Sequence, residues 1–123
     1  MSDRRLLVVD DEPDFAQFVS NAAGELGYET RICTQPKEFR RIYAEFGPTH
    51  IVLDVVMPEI DGIEIMQWLA SQGSTAKVVI TTGYNPQYAK MAGLVGADRG
   101  LEAVKTLTKP IRLADLRAAL SQQ

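Results

Sequence analysis

A chain of 123 residues, 46% hydrophobic and 24% charged, has the size and composition of one globular domain that can bury a core without disulfides or a structural metal. Its net charge of -3, with both signs spread along the sequence, leaves no basic stripe for direct nucleic-acid contact and no reason to expect membrane attachment. The single cysteine, Cys33, excludes an intrachain disulfide and a cysteine-based zinc site.

From the start of the chain, two arginines precede an apolar stretch of only four residues, Leu6 to Val9, too short for a signal peptide or a membrane span. A cytoplasmic location is therefore expected. That stretch is the first of five segments that read as strands: 6–9, 28–33, 50–55, 77–81 and 104–107. Three of them contain continuous runs of β-branched residues or leucine, as suits strands covered on both faces. Cys33, within the second, is expected as a small buried residue. Between strands the spacing turns helical. Phe15, Val19, Ala22 and Leu26 recur every three or four residues over 13–26, with Pro13 suited to the first turn and Gly27 to the C-terminal cap. A second helix is expected over 36–46, ending at Gly47-Pro48. A third starts near Gly62 and buries Ile65, Met66 and Leu69. A last one covers 113–120, with Leu113, Leu116 and Leu120 on one side. Alternating strands and helices give an α/β fold with right-handed crossovers, and no linker, repeat or low-complexity run divides residues 1–123.

In such a sheet, functional groups collect beyond the carboxyl ends of the strands. Asp10, Asp11 and Glu12 follow the first strand, and Asp54 stands at the end of the third. Thr81 and Thr82 close the fourth, and Thr108 and Lys109 the fifth. Each has a plainer reading alone: an acidic pair can be a solvated turn, Thr82 a helix cap, Lys109 a surface charge. Together they make one chemistry. Carboxylates in a single cleft repel unless a cation joins them, and oxygen ligands of this kind suit Mg²⁺. One carboxylate can act as a nucleophile and become an aspartyl phosphate. A lysine and a hydroxyl can then pair with the phosphoryl oxygens.

At these positions the sequence resembles the response-regulator receiver family, over essentially the whole chain. The matching pieces are Val-Val-Asp-Asp-Glu-Pro at 8–13, Leu-Asp-Val-Val-Met-Pro-Glu-Ile-Asp-Gly at 53–62, Thr82-Gly83 and Thr108-Lys109-Pro110. The resemblance implies a flavodoxin-like, doubly wound, five-stranded parallel sheet of order 2-1-3-4-5, with helices on both faces. It makes Asp54 the phosphoacceptor, Asp11 a direct Mg²⁺ ligand, Asp10 a metal residue acting largely through water, and the Val56 carbonyl a further ligand. Thr82 becomes the switch hydroxyl and Lys109 the phosphate-pairing lysine, with a cis bond to Pro110. A histidine kinase or histidine phosphotransfer protein is the implied donor. The kinase, the output protein and the pathway are not named by the sequence, and a homodimer is compatible with it.

Two departures from the family stand out. Thr106 occupies the place, three residues before the lysine, where most receivers carry Tyr or Phe. The stretch from Tyr84 to Lys109 is longer than usual, so 86–103 reads either as a longer helix, weakened by Gly93, Gly96 and Gly100 at about 1 kcal/mol each relative to alanine, or as an ordinary helix followed by a slack loop. His50 opens the third strand, at the end away from the acids, and is not expected to carry phosphate. Of the rival functions, a Mg²⁺-dependent phosphohydrolase usually places its nucleophile after the first strand in an Asp-x-Asp pattern, which Asp10-Asp11-Glu12 does not match. A nucleotide module needs a Gly-, Ser- or Thr-rich phosphate loop where this one is acidic. A receiver reduced to protein binding stays open because of Thr106.

Overall fold

The computed structural model describes residues 4–57, 61–83 and 102–121, together with positions 87, 90, 91 and 94; at 102–104 it describes the backbone alone. Strands β1 (Arg5–Val9), β2 (Glu29–Cys33), β3 (His50–Asp54), β4 (Lys77–Thr82) and β5 (Glu102–Thr108) form one sheet in the order β2-β1-β3-β4-β5. All neighbouring pairs run parallel. The described helices are α1 (Pro13–Glu25), α2 (Phe39–Phe46), α3 (Gly62–Ser71) and α4 (Leu113–Ser121).

Successive side chains on a strand point to opposite faces, so each central strand feeds two cores. Leu7, Val9, Ile51, Leu53, Val78 and Ile80 pack with Phe39 and Ile42 of α2 and Ile65, Met66 and Leu69 of α3. Leu6, Val8, Val52 and Val79 pack on the other face with Ala16, Val19 and Ala22 of α1 and Leu116 and Leu120 of α4. This explains why β3 is buried at every position while the edge strand β2 alternates towards solvent. Cys33 is buried, and its thiol donates to the Gln35 carbonyl oxygen at 3.2 Å. His50 is also buried, beside the Thr49 hydroxyl (2.8 Å) and the edge of the Tyr28 ring, at the opposite end of β3 from Asp54. Among the described residues no helix is long and apolar enough to cross a membrane.

The element ends follow from local chemistry. Pro13 opens α1, and Gly27 beyond its C-cap takes a φ of +91° that favours glycine. The expected helix over 36–46 begins instead as a 3-10 turn at Pro36–Glu38 and becomes α only at Phe39. No side chain caps this entry, and the Glu38 N–H closes a tight bond to the Gln35 carbonyl. β5 starts at Glu102, so residues 102 and 103, the end of the helix in the longer-helix alternative, belong to the sheet. A register shift opposite Val78 and Val79 inserts one extra residue in β5 and brings Thr108 beside Thr82. Of the segment 84–101, Gln87, Lys90, Met91 and Leu94 are helical and exposed; Tyr84 and the glycines at 93, 96 and 100 lie outside the described residues.

The loop after β3 is fixed by a close approach. A Cβ placed on Gly62 would come within 2.5 Å of the Val55 Cα, and the Gly62 N–H donates to the Val55 carbonyl at 3.3 Å. Asp61 caps α3 by accepting from the Ile63 N–H at 2.8 Å. Gly62→Ala must therefore push Val55 and the first turn of α3 apart. It should lower unfolding stability by about 1–3 kcal/mol, measured by urea denaturation; a variant as stable as the parent would show that the contact relaxes freely.

Candidate functional site

Three strand ends converge above the sheet. The Asp10 N–H donates to the Cys33 carbonyl at 3.1 Å, extending the β1–β2 ladder by one residue, so the Asp10 side chain turns inward just past the last valine. Asp54 is the final residue of β3 and pairs in register with Thr81. Beyond Thr108, the Lys109 N–H donates to the Thr82 carbonyl at 2.8 Å, which aims the Lys109 side chain back over β3 and β1. The Lys109–Pro110 bond is cis.

Asp10 and Asp54 are almost fully buried, with relative exposures of 1% and 4%. Each is held by one backbone donor: the Glu12 N–H to Asp10 Oδ1 at 2.9 Å, and the Val56 N–H to Asp54 Oδ1 at 3.0 Å. Their other oxygens face Lys109. Its Nζ lies 2.9 Å from Asp10 Oδ2, an ion pair without hydrogen-bond alignment, and donates to Asp54 Oδ2 at 3.3 Å. It also donates to Glu12 Oε1 at 2.8 Å and sits 4.3 Å from the centre of the Phe15 ring.

These contacts leave clear electrostatic signatures. Burial raises the pKa of Asp10, while the Glu12 N–H and Lys109 oppose the rise. Burial likewise raises that of Asp54, with the Asp10 charge adding to it and the Val56 N–H and Lys109 opposing. For Lys109, burial alone lowers the pKa, but the hydrogen bond to Glu12 and the close negative charges of Asp10 and Asp54 outweigh it and raise the net value. The ammonium stays charged as the counter-ion of the acids.

A cleft of about 260 Å³ opens over this group, lined by Asp11, Glu12, Asp54, Val56, Gly83 and Lys109. Single oxygens of Asp10, Glu12 and Asp54 lie within 4.8 Å of one another, a hard-oxygen set that suits a divalent cation. Asp10, Asp54 and Lys109 are thus in mutual contact, while Asp11 and Val56 line the same cleft. Thr82 is fully buried at the end of β4, one residue before the cleft wall at Gly83. Glu12 and Phe15 take parts that the sequence reading did not give them. Glu12 directly follows the acidic pair, which was the available signal; Phe15 looked like a core position of α1.

A parallel sheet of this order, with buried acids on two adjoining strand ends and a lysine reaching them from a third, defines a receiver-type signalling domain. Residues 6–121 match the family model described as the response regulator receiver domain, and the chain belongs to that family. It is 31% identical over 117 residues to the response regulator MprA of Mycolicibacterium vanbaalenii, covering 94% of this chain and 48% of that protein. The chain spans about half the length of the curated relatives it matches. Its fold superposes with a TM-score of 0.84 on a CheY-like receiver domain protein from Methanospirillum hungatei, at 22% identity over 98% of this chain and 92% of that one. TrrA of Thermotoga maritima, determined in complex with Mg²⁺-BeF, gives 0.79 at 23% identity, over 96% of each chain.

A carboxyl whose pKa rises on folding favours the folded state below its unfolded pKa, and that advantage is lost as pH climbs through the folded value. Ionised Asp54 therefore weakens the metal-free fold at neutral pH. Asp54→Asn should raise the melting temperature at about pH 7, and the gain should fade as pH falls towards about 4, where the unfolded carboxyl itself takes up a proton. Thermal unfolding of both proteins in EDTA across that range checks it; an unchanged or lower melting temperature at neutral pH would contradict the electrostatic reading.

Proposed function

We propose that Asp54 accepts a phosphoryl group from a histidine kinase or histidine phosphotransfer protein, with Mg²⁺, and that the change is passed to an output protein through the 84–101 region. The observation that carries this reading is the division of labour at Asp54. The Val56 N–H fixes Oδ1, while Oδ2 faces the Lys109 ammonium at the floor of an open cleft. A carboxylate held in this way is a positioned nucleophile.

In the transfer, an oxygen of Asp54 forms a bond to phosphorus as the bond to the leaving group breaks. The leaving group, acetate or the imidazole of a phosphohistidine, keeps the electron pair. Lys109 is placed to pair with a phosphoryl oxygen, and the Thr82 hydroxyl to donate to another once it moves towards the cleft. Asp10, Asp11, Asp54 and the Val56 carbonyl are the proposed holders of Mg²⁺, which supplies charge neutralisation between an anionic donor and these carboxylates. The domain assists its own phosphorylation and dephosphorylation and is not an enzyme for a separate substrate. Residues 1–123 act as one receiver unit in the cytoplasm, without direct nucleic-acid or membrane contact, and self-association into a homodimer is compatible with the reading.

For output, Thr106 on β5 is small and exposed, a poor substitute for a rotating aromatic. In contrast, Gln87, Lys90, Met91 and Leu94 follow helical spacing and all face solvent, with Met91 55% and Leu94 64% exposed. An apolar pair on an exposed helical stripe suits a partner contact.

Acetyl phosphate and Mg²⁺ should add the mass of a single phosphoryl group to the intact protein. EDTA, Asp11→Ala and Asp54→Asn should each abolish that increment while circular dichroism stays that of a folded protein. Full labelling of Asp54→Asn would defeat the assignment. The acyl phosphate should also be long-lived, because Val56 at the cleft wall offers no group to orient a water. Val56→Asn should accelerate loss of the phosphoryl group, followed by mass spectrometry over time; an equal or slower loss would refute the idea.

A further inference from the structure

Among the described residues the Lys109 ammonium has three carboxylate partners, and they are not equivalent. Asp10 and Asp54 are buried and anchored by backbone N–H groups. The Glu12 side chain is 64% exposed, and among the described residues no backbone donor holds it. Glu12 stands at the N-cap of α1, where Ser, Thr, Asp or Asn would normally accept from the helix N–H groups, yet its side chain makes no capping bond. It reaches Lys109, 97 positions later in the chain, at 2.8 Å. Phe15, one helical turn on from Glu12, presents its ring to the same ammonium. The start of α1 therefore clamps Lys109 between a carboxylate and an aromatic face.

We propose that Glu12 is a positioning residue acting through Lys109: a releasable counter-ion that parks the ammonium in the unphosphorylated domain and slows its transfer to an incoming phosphoryl group. The inference rests on the phosphoacceptor reading of Asp54. When Asp54 attacks acetyl phosphate and acetate departs with its electron pair, a singly charged carboxylate becomes a phosphoryl group of about two negative charges. Lys109 must turn towards that group. Asp54 itself carries the new charge and Asp10 is fixed, so Glu12 is the contact that has to open. Its exposure lets water take over at little cost, which makes it a latch and keeps it from being a trap.

Two substitutions separate the contact from the charge. Glu12→Gln removes the charge. Glu12→Asp keeps the charge but draws the carboxylate back from Lys109, and both leave the backbone N–H that anchors Asp10 in place. Both variants should be phosphorylated by acetyl phosphate about two- to fivefold faster than the parent, the range that one exposed ion pair allows. In the metal-free protein with ¹⁵N-labelled lysine, the Lys109 ammonium resonance should exchange faster with water in both. Parent rates in both variants, acceleration in Glu12→Gln alone, or an unchanged Lys109 resonance would each overturn the latch. A parent protein that takes no phosphoryl group would instead overturn the reading of Asp54 on which the latch depends.

Discussion

The Lys109 ammonium is the interaction on which the rest of the site depends. Without it, Asp10 and Asp54 would be two buried carboxylates with only one backbone donor each, an arrangement that costs several kcal/mol per uncompensated charge. With it, both buried acids have a cationic partner at the floor of the cleft. The topology makes this possible. β1 and β3 are adjacent in the sheet, so Asp10 and Asp54 are neighbours at the same end. β5 lies two strands from β3, and only a side chain as long as lysine spans β4 to reach the acids. The extra residue in β5 sets Thr108 against Thr82 and so determines where Lys109 leaves the sheet.

The same constraint ties the site to the cores below it. Leu53 and Val55 on either side of Asp54 are fully packed, so its carboxylate cannot drift from the floor of the cleft. Gly62 lies against Val55, and Asp61 forms an isolated bridge with Val56 and caps α3. Movement of the loop carrying Val56 is therefore coupled to the start of α3. On the other side, Thr82 is buried at the end of β4, directly ahead of the region that bears the exposed helical stripe. A change at Asp54 thus has a short route to each flank.

Much of this was readable from residues alone, for a definite reason. Asp10 follows an apolar run, Asp54 ends one and Lys109 follows a strand-like segment, and a parallel sheet delivers everything at that position to one edge. The periodicities of α1, α3 and α4 were equally plain, since each buries a stripe of Leu, Ile, Val, Met or Ala. What could not be read were the features set by tertiary contact. The 3-10 entry to α2 and the added residue in β5 depend on packing against neighbours, which no local spacing encodes. Glu12 stood beside the acidic pair with no role of its own, because its value lies in a partner 97 positions away. Phe15 had the spacing of a core residue and is only partly one: it packs beside the core of α1 while its ring supports the ammonium.

This set of charges is proposed to make Asp54, and no neighbouring acid, the phosphoryl acceptor. Locating the modified residue tests it most directly. Borohydride reduces an acyl phosphate to the corresponding alcohol, so treatment of the phosphorylated protein followed by peptide mass spectrometry marks the site permanently. Reduction should be confined to position 54. A reduced residue at Asp10, Asp11 or Glu12, with position 54 unchanged, would contradict it.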